Sequence, residues 1–155
     1  MILIALGSNL GNRAEYLAQA RAALGLHDIE IRRASSIVET PALMPEGAPA
    51  DWDIPFLNQV VAVETSHAPH ALLACLKLIE ADLGREKKAH WAPREIDLDL
   101  LAYHDAIILT DTLTLPHPQM DARAFVLRPL AEIAPDWRHP VLEKTALEML
   151  GELPQ

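Results

Sequence analysis

Residues 94–101 read Arg-Glu-Ile-Asp-Leu-Asp-Leu-Leu, and their alternation predicts a β-strand from a protein core. In a strand, positions i and i+2 point to the same face. Asp97 and Asp99 therefore share one face, while Leu98 and Leu100 share the other. Two ionised carboxylates this close repel each other, and burying them without a countercharge is costly. The pattern predicts either a solvated strand face or a cation bound by the pair.

The elements around this strand predict a fold class. Strands are predicted over residues 2–7, 29–39 and 56–65, and helices over about 12–24 and 69–83. With the strand just described, the order is βαββαβ, the ferredoxin-like split β-α-β pattern of an α+β antiparallel sheet with helices. A hairpin over 104–116 and short helices near 125–133 and 144–150 follow. We expect one domain, residues 1–155.

Composition narrows the class of ligand. The formal net charge of −9 argues against a nucleic-acid partner, although four of the thirteen Lys and Arg residues lie within 85–94. Such a cationic patch beside two carboxylates suits a small anion accompanied by a metal. The single cysteine predicts no internal disulfide, and the only apolar stretch near the start is too short for a signal peptide or membrane span. We therefore expect a cytoplasmic monomer that binds small molecules and no membrane.

Cationic side chains near the carboxylate pair point to phosphate. Magnesium ions take carboxylate oxygens and usually keep substrate phosphates as further ligands, and paired carboxylates can share two such ions. Arg85 and Arg94 flank the loop before the strand, and a guanidinium presents a fork that matches phosphate oxygens. Metal and arginine around a phosphoryl group are a recurring electrostatic arrangement. The cluster predicts a metal–nucleotide site.

A second group of residues predicts recognition of a flat heterocycle. Phe56 and Asn58 share a face of their strand, so a ring could stack there and pair its polar edge with the amide. The alternative is an ordinary core Phe beside a surface Asn. His117, between two prolines, could contact a phosphate or simply occupy a rigid surface turn. Arg123 and Phe125 would lie on one side if their stretch is extended. A proline-rich loop, residues 40–55, leads directly into the Phe56 strand.

Seven motifs occur in one order along the chain. They are GSNLGN (7–12), S-S-x-x-x-T-P (35–41), F-L-N (56–58), L-G-R (83–85), W-A-P-R-x-I-D-L-D (91–99), L-x-L-P-H (113–117) and R-x-F (123–125). With these motifs the chain resembles the 6-hydroxymethyl-7,8-dihydropterin pyrophosphokinase family of folate biosynthesis, from about residue 3 to residue 135.

This resemblance implies a reaction and its catalytic residues. The hydroxymethyl oxygen of the pterin would attack the β-phosphorus of ATP, giving AMP and the pterin diphosphate. Asp97 and Asp99 would hold two Mg²⁺ ions along the triphosphate, and Arg85 and Arg94 would neutralise charge as the bond to the α-phosphate breaks. The general base stays open between Asp97 and the metal-lowered acidity of the alcohol itself.

The resemblance also implies the residues that bind the two substrates. Contacts to the pterin would come from Thr40, Pro41, Leu43, Phe56, Asn58, Trp91 and Phe125. Contacts to the nucleotide would come from Glu80, Lys88, Arg94, Leu100, Thr114, His117 and Arg123.

Two other functions stay open from the residues alone. A non-catalytic binding module would need neither both aspartates nor both arginines. A different metal-dependent phosphotransferase or phosphatase would share the carboxylate pair but not Phe56 and Asn58. Product identity separates them: AMP marks pyrophosphoryl transfer, ADP ordinary kinase chemistry and inorganic phosphate hydrolysis.

Overall fold

A computed structural model describes residues 1–42, 44–84 and 95–154. The strands are β1 (Ile2–Ser8), β2 (Glu30–Ala34), β3 (Val38–Thr40), β4 (Phe56–Glu64), β5 (Asp97–Tyr103), β6 (Ile108–Leu109) and β7 (Thr114–Leu115). The helices are α1 (Arg13–Leu26), α2 (Pro69–Asp82), α3 (Ala124–Ile133) and α4 (Ala146–Gly151), with single 3₁₀ turns at Ala50–Trp52 and Met120–Ala122. No helix within these ranges is long and apolar enough to cross a membrane.

The main sheet is antiparallel and has the strand order β2–β4–β1–β5, with β3 also paired to β4. This is the order of a ferredoxin-like sheet and confirms the predicted α+β class. The predicted hairpin is the β6–β7 pair. Asn12 caps α1, since its side chain accepts a hydrogen bond from the Glu15 backbone N–H.

The single strand predicted over 29–39 is wrong, because the structure has two strands, β2 and β3, in that range. Ser35 separates them: its hydroxyl accepts a hydrogen bond from the backbone N–H of Val60. Ser36 then turns away from the sheet and binds the Glu132 carboxylate of α3 through both its backbone N–H and its hydroxyl. Serine side chains that bond to backbone groups compete with regular strand pairing, which explains the break.

Each face of the sheet packs against helices. One apolar core lies between the sheet and the pair α1 and α2, and it contains Leu98 and Leu100. A second core lies on the opposite face, beneath α3 and α4, and it contains Leu101. The alternation predicted for β5 is therefore confirmed. Asp97 and Asp99 lie on the α3 side of the sheet, at the end of β5 that precedes Leu101.

Candidate functional site

The floor of the candidate site is a row of three residues across the sheet. Gly7 of β1 pairs with Asn58 of β4 on one side and with Asp97 of β5 on the other. Residues paired directly across strands point to the same face. Strands lie about 4.8 Å apart, so Asn58 and Asp97 are separated by about 10 Å with no side chain between them. The row offers an amide at one end, a carboxylate at the other and, at Gly7 in the middle, a gap where no side chain is attached.

Asn58 and Phe56 converge on this gap from β4. The Asn58 side chain is only 7% exposed, and its Nδ2 donates a 2.6 Å hydrogen bond to Thr40 Oγ1. That bond orients the Oδ1 atom towards Gly7, where an added Cβ would lie 3.2 Å from Oδ1 and 3.5 Å from Phe56 Cδ1. An aromatic ring and a fixed amide oxygen therefore border one space, as recognition of a flat heterocycle requires.

The acidic pair lies on β5 at the other end of the row. Asp97 and Asp99 are both half-buried. Burial, with the neighbouring charges of Asp97 and Glu80, raises the pKa of Asp99 to about 7. Arg123 and Lys77 act in the opposite direction without cancelling this effect. The raised pKa shows that the ionised form of Asp99 is disfavoured at this position, and a cation bound beside the carboxylate would favour that form.

Glu80 fastens α2 to the strand that carries the acidic pair. Its side chain is buried, and its Oε2 accepts a 2.8 Å hydrogen bond from the backbone N–H of Leu98. The ammonium group of Lys77 lies 3.8 Å from the other carboxylate oxygen. The bond to Leu98 falls between Asp97 and Asp99 along the chain. Glu80 was predicted to contact the nucleotide. In the structure its carboxylate binds the β5 backbone. The nucleotide contact stays a prediction.

Arg123 and Phe125 lie at the start of α3, so the alternation considered for an extended stretch does not apply. Arg123 precedes the first residue of the helix, and its guanidinium lies 5.5 Å from the centre of the Phe125 ring. It also donates to the side-chain oxygen of Gln119. The two side chains nevertheless lie next to each other, in the arrangement by which a cation stacks on an aromatic face. Phe125 packs at the margin of the second core, on the face of the sheet that holds Asp99.

His117 is a neutral hydrogen-bond donor beside the acidic pair. Burial, followed by the charge of Arg123, lowers its pKa, while Asp97 acts in the opposite direction. Its Nδ1 accepts a hydrogen bond from the Gln119 N–H, so the ring proton is on Nε2 and is available to an anion. Its backbone N–H donates to Leu101 O at the end of the acidic segment.

Of the remaining residues predicted to contact the substrates, three lie in the described part of the chain and five lie outside it. Pro41 follows β3 and is exposed, and Thr114 lies in β7. The Leu100 side chain is buried in the core beneath α1 and α2, so a nucleotide contact there would involve its backbone. Five predicted residues lie outside the described ranges: Leu43, Arg85, Lys88, Trp91 and Arg94.

Sequence reasoning missed the residues that fix the geometry around the site. Gly7 was assigned to the strand over residues 2–7 and to the GSNLGN motif without a role, although glycine within a strand can mark a close approach of backbone or ligand. Asn9 and Arg13 were not considered, yet they bind the carbonyl oxygens of Ile54 and Pro55 immediately before Phe56. The GSNLGN motif contains Gly7 and Asn9 and was the available signal for those two residues, whereas Arg13 lies just after it.

The fold and the site together define a class: an α+β small-molecule-binding domain whose acidic strand and aromatic–amide pair share one face of the sheet. A family profile narrows this class, because residues 3–135 match the 7,8-dihydro-6-hydroxymethylpterin-pyrophosphokinase (HPPK) family. The chain belongs to that family.

Curated relatives with related names support the match. A protein of Aquifex aeolicus named 2-amino-4-hydroxy-6-hydroxymethyldihydropteridine pyrophosphokinase is 37% identical over 151 residues, 97% of this chain and 91% of that protein. The Bacillus subtilis protein of the same name is 44% identical over 131 residues, covering 84% and 75% respectively. A folate synthesis bifunctional protein of Chlamydia trachomatis is 41% identical over 136 residues, 86% of this chain and 30% of that protein. This chain therefore spans less than a third of the bifunctional relative.

A solved structure supports the fold independently of close sequence similarity. The crystal structure of wild-type Plasmodium falciparum HPPK-DHPS matches with a TM-score of 0.70 at 15% identity, over 97% of this chain and 44% of that chain. At this identity the likeness shows the fold.

Proposed function

We propose that this chain transfers a pyrophosphoryl group from ATP to the hydroxymethyl group of 6-hydroxymethyl-7,8-dihydropterin in folate biosynthesis. The hydroxymethyl oxygen forms a bond to the β-phosphorus of ATP, and the bond between that phosphorus and the oxygen bridging to the α-phosphorus breaks. The bridging oxygen leaves with AMP, and the other product is the pterin diphosphate. The hydroxyl proton passes either to the Asp97 carboxylate or to solvent.

The row Asn58–Gly7–Asp97 is the observation that carries this proposal. A pterin whose polar edge pairs with the Asn58 amide and whose ring stacks on Phe56 would extend across Gly7. Its hydroxymethyl group would then point towards the carboxylate end of the row, where the phosphates are held. Holding two reactants in line is a large part of phosphoryl-transfer catalysis.

The acidic pair fits Mg²⁺. Asp97 and Asp99 offer hard oxygen ligands on one face, and Mg²⁺ takes such carboxylate oxygens. Among the described residues no group of three His, Cys, Asp or Glu side chains could hold a metal ion. Two carboxylates therefore suit an ion that takes its other ligands from substrate phosphates and water, and two ions would use both carboxylates. Bound Mg²⁺ would neutralise charge on the triphosphate.

The cationic and donor groups near the pair suit the triphosphate. Arg123 is a permanent cation, and the Nε2–H of neutral His117 is a directed donor. Arg85 and Arg94 are assigned the leaving α-phosphate on the family resemblance alone. Phe125 would close the pterin space from the α3 side and limit the access of water, which otherwise competes with the hydroxymethyl oxygen.

Phosphorus NMR tests this function directly. The protein is incubated with Mg²⁺, ATP and 6-hydroxymethyl-7,8-dihydropterin, with controls that lack the pterin or the Mg²⁺. We expect AMP and a new diphosphate ester to appear together, and only when the pterin is present. ADP would indicate ordinary kinase chemistry and inorganic phosphate would indicate hydrolysis, and either product in place of AMP contradicts the proposal. Binding of both substrates without turnover would favour the non-catalytic module.

A further inference from the structure

We propose that Arg13 is a positioning residue for the pterin side of the site, because it fastens both ends of the loop over residues 41–55. The inference rests on the proposed function for the identity of the ligand. The family motifs give Arg13 no role, and its guanidinium binds Pro55 and Glu39, which lie outside the row of Asn58, Gly7 and Asp97. It acts through the backbone that precedes two pterin-contacting residues.

One guanidinium joins the two ends of the loop. Its Nη1 donates a 2.7 Å hydrogen bond to the carbonyl oxygen of Pro55, and its Nη2 lies 2.9 Å from Glu39 Oε2. Glu39 immediately precedes Thr40, and Pro55 immediately precedes Phe56. Arg13 is also the first residue of α1, so these contacts tie the loop to a helix that packs on the sheet.

The two fastened positions lead straight to the recognition residues. Thr40 pairs with Phe56 across β3 and β4, so the loop starts and ends at neighbouring points. Thr40 Oγ1 then accepts the hydrogen bond that orients the Asn58 amide. Asn9, in the turn before α1, adds a 3.0 Å hydrogen bond from its Nδ2 to Ile54 O. A shift at the base of this loop therefore moves the stacking ring and the amide together.

Because the Arg13–Glu39 ion pair is partly exposed, we expect it to affect pterin affinity more than the stability of the fold. The side chains of Arg13 and Glu39 are 28% and 56% exposed, and an ion pair in such a position adds little to global stability. A loop whose ends are already fixed, however, has less conformational entropy to lose when a ligand binds. Removing Arg13 should therefore weaken the pterin complex while the protein remains folded and ATP binding stays intact.

Substitution at Arg13 tests the inference with three kinetic constants, one dissociation constant and the melting temperature. In Arg13→Ala we expect the KM for the pterin, and its dissociation constant measured by fluorescence without ATP, to rise about fivefold. We expect kcat, the KM for ATP and the melting temperature to remain close to wild type. Arg13→Lys should recover part of the loss, because an ammonium can replace one contact but lacks the fork needed for both.

Arg32→Ala is the matched control. The Arg32 guanidinium also forms exposed ion pairs, with Glu30 and Glu64, but on β2 and at the far end of β4 from the loop. The loss of Arg32 should change none of these four constants. Unchanged pterin affinity in Arg13→Ala would overturn the inference, as would equal losses for pterin and ATP together with a lower melting temperature. A wild-type protein that binds the pterin but forms no AMP would contradict the proposed reaction and leave the Arg13 comparison intact.

Discussion

Gly7→Ala places a methyl group in the middle of the proposed site. The added Cβ would lie 3.2 Å from Asn58 Oδ1 and 3.5 Å from Phe56 Cδ1, and the third atom in range is the Leu57 carbonyl oxygen at 3.8 Å. All three atoms belong to β4, on the pterin side of the row. Gly7 is not among the residues with a positive φ, so alanine is compatible with its backbone. The perturbation is therefore steric and local.

The expected effect follows from what must move. At 3.2 Å, Oδ1 has to shift by a few tenths of an ångström, but the 2.6 Å bond from Nδ2 to Thr40 holds the amide in place. We expect the mispositioned Asn58 to lose about 1 kcal/mol of hydrogen bonding to the pterin, and crowding by the methyl group to cost about 1 kcal/mol more. Together these make about 2 kcal/mol, or roughly a 30-fold weaker pterin complex.

Isothermal titration calorimetry with pterin, and separately with Mg-ATP, measures this difference. ATP affinity should change far less, because no β5 atom is among the three nearest to the new methyl group. Gly25→Ala is the control, since nothing lies within 4 Å of the Cβ it adds and alanine favours its α1 helix by about 0.5–1 kcal/mol. A folded Gly7→Ala protein that binds pterin as tightly as wild type would refute the assignment of the gap to the pterin.

Four further substitutions test other parts of the structure. Asp97→Asn should abolish AMP formation without unfolding the protein, because it removes a metal ligand and relieves carboxylate repulsion; a near-normal rate in a phosphorus NMR assay would contradict the metal assignment. Ser35→Ala should cost about 1–3 kcal/mol in urea unfolding because it leaves a buried strand N–H unpaired. Ser8→Ala should cost less than about 0.5 kcal/mol, since the Ser8 hydroxyl has no hydrogen-bond partner in the described part of the chain; equal losses would show that burial alone sets the cost. Burial lowers the pKa of His139, whose Nδ1 accepts two backbone N–H groups, so its contribution to stability is complete above about pH 6.5 and is lost as the pH falls through its folded pKa. His139→Asn should therefore reduce the loss of unfolding free energy between about pH 7.5 and pH 5.5, by at most about 1.4 kcal/mol per pH unit, and an unchanged slope would contradict this assignment.

Features with a local period could be predicted from the sequence. Alternation alone placed Asp97 and Asp99 on one face of β5 and Leu98 on the other, and the two packed cores confirm it. The same period grouped Phe56 with Asn58. The order of strands and helices was sufficient for the fold class, because few arrangements accommodate βαββαβ.

Pairing between distant strands could not be predicted in the same way. Register is set by contacts between segments far apart in sequence, and a slip of one residue would turn every side chain to the opposite face. The place of Gly7 between Asn58 and Asp97 therefore became visible only in the structure. The break at Ser35 was missed for a similar reason, because the N–H that its hydroxyl binds belongs to Val60, 25 residues away.

The two faces of β5 together explain how two carboxylates can be held side by side. Leu98 and Leu100 are buried against α1 and α2, and the Glu80 carboxylate binds the Leu98 N–H, so both contacts hold the strand segment that carries the two aspartates. Burial, and after it the charge of Asp97, raises the pKa of Asp99. A solvated strand face would not raise the pKa in this way, because water would stabilise both charges. The packed core thus maintains an acidic pair that suits a divalent cation, and in the proposed function that cation would attract the phosphates of the nucleotide.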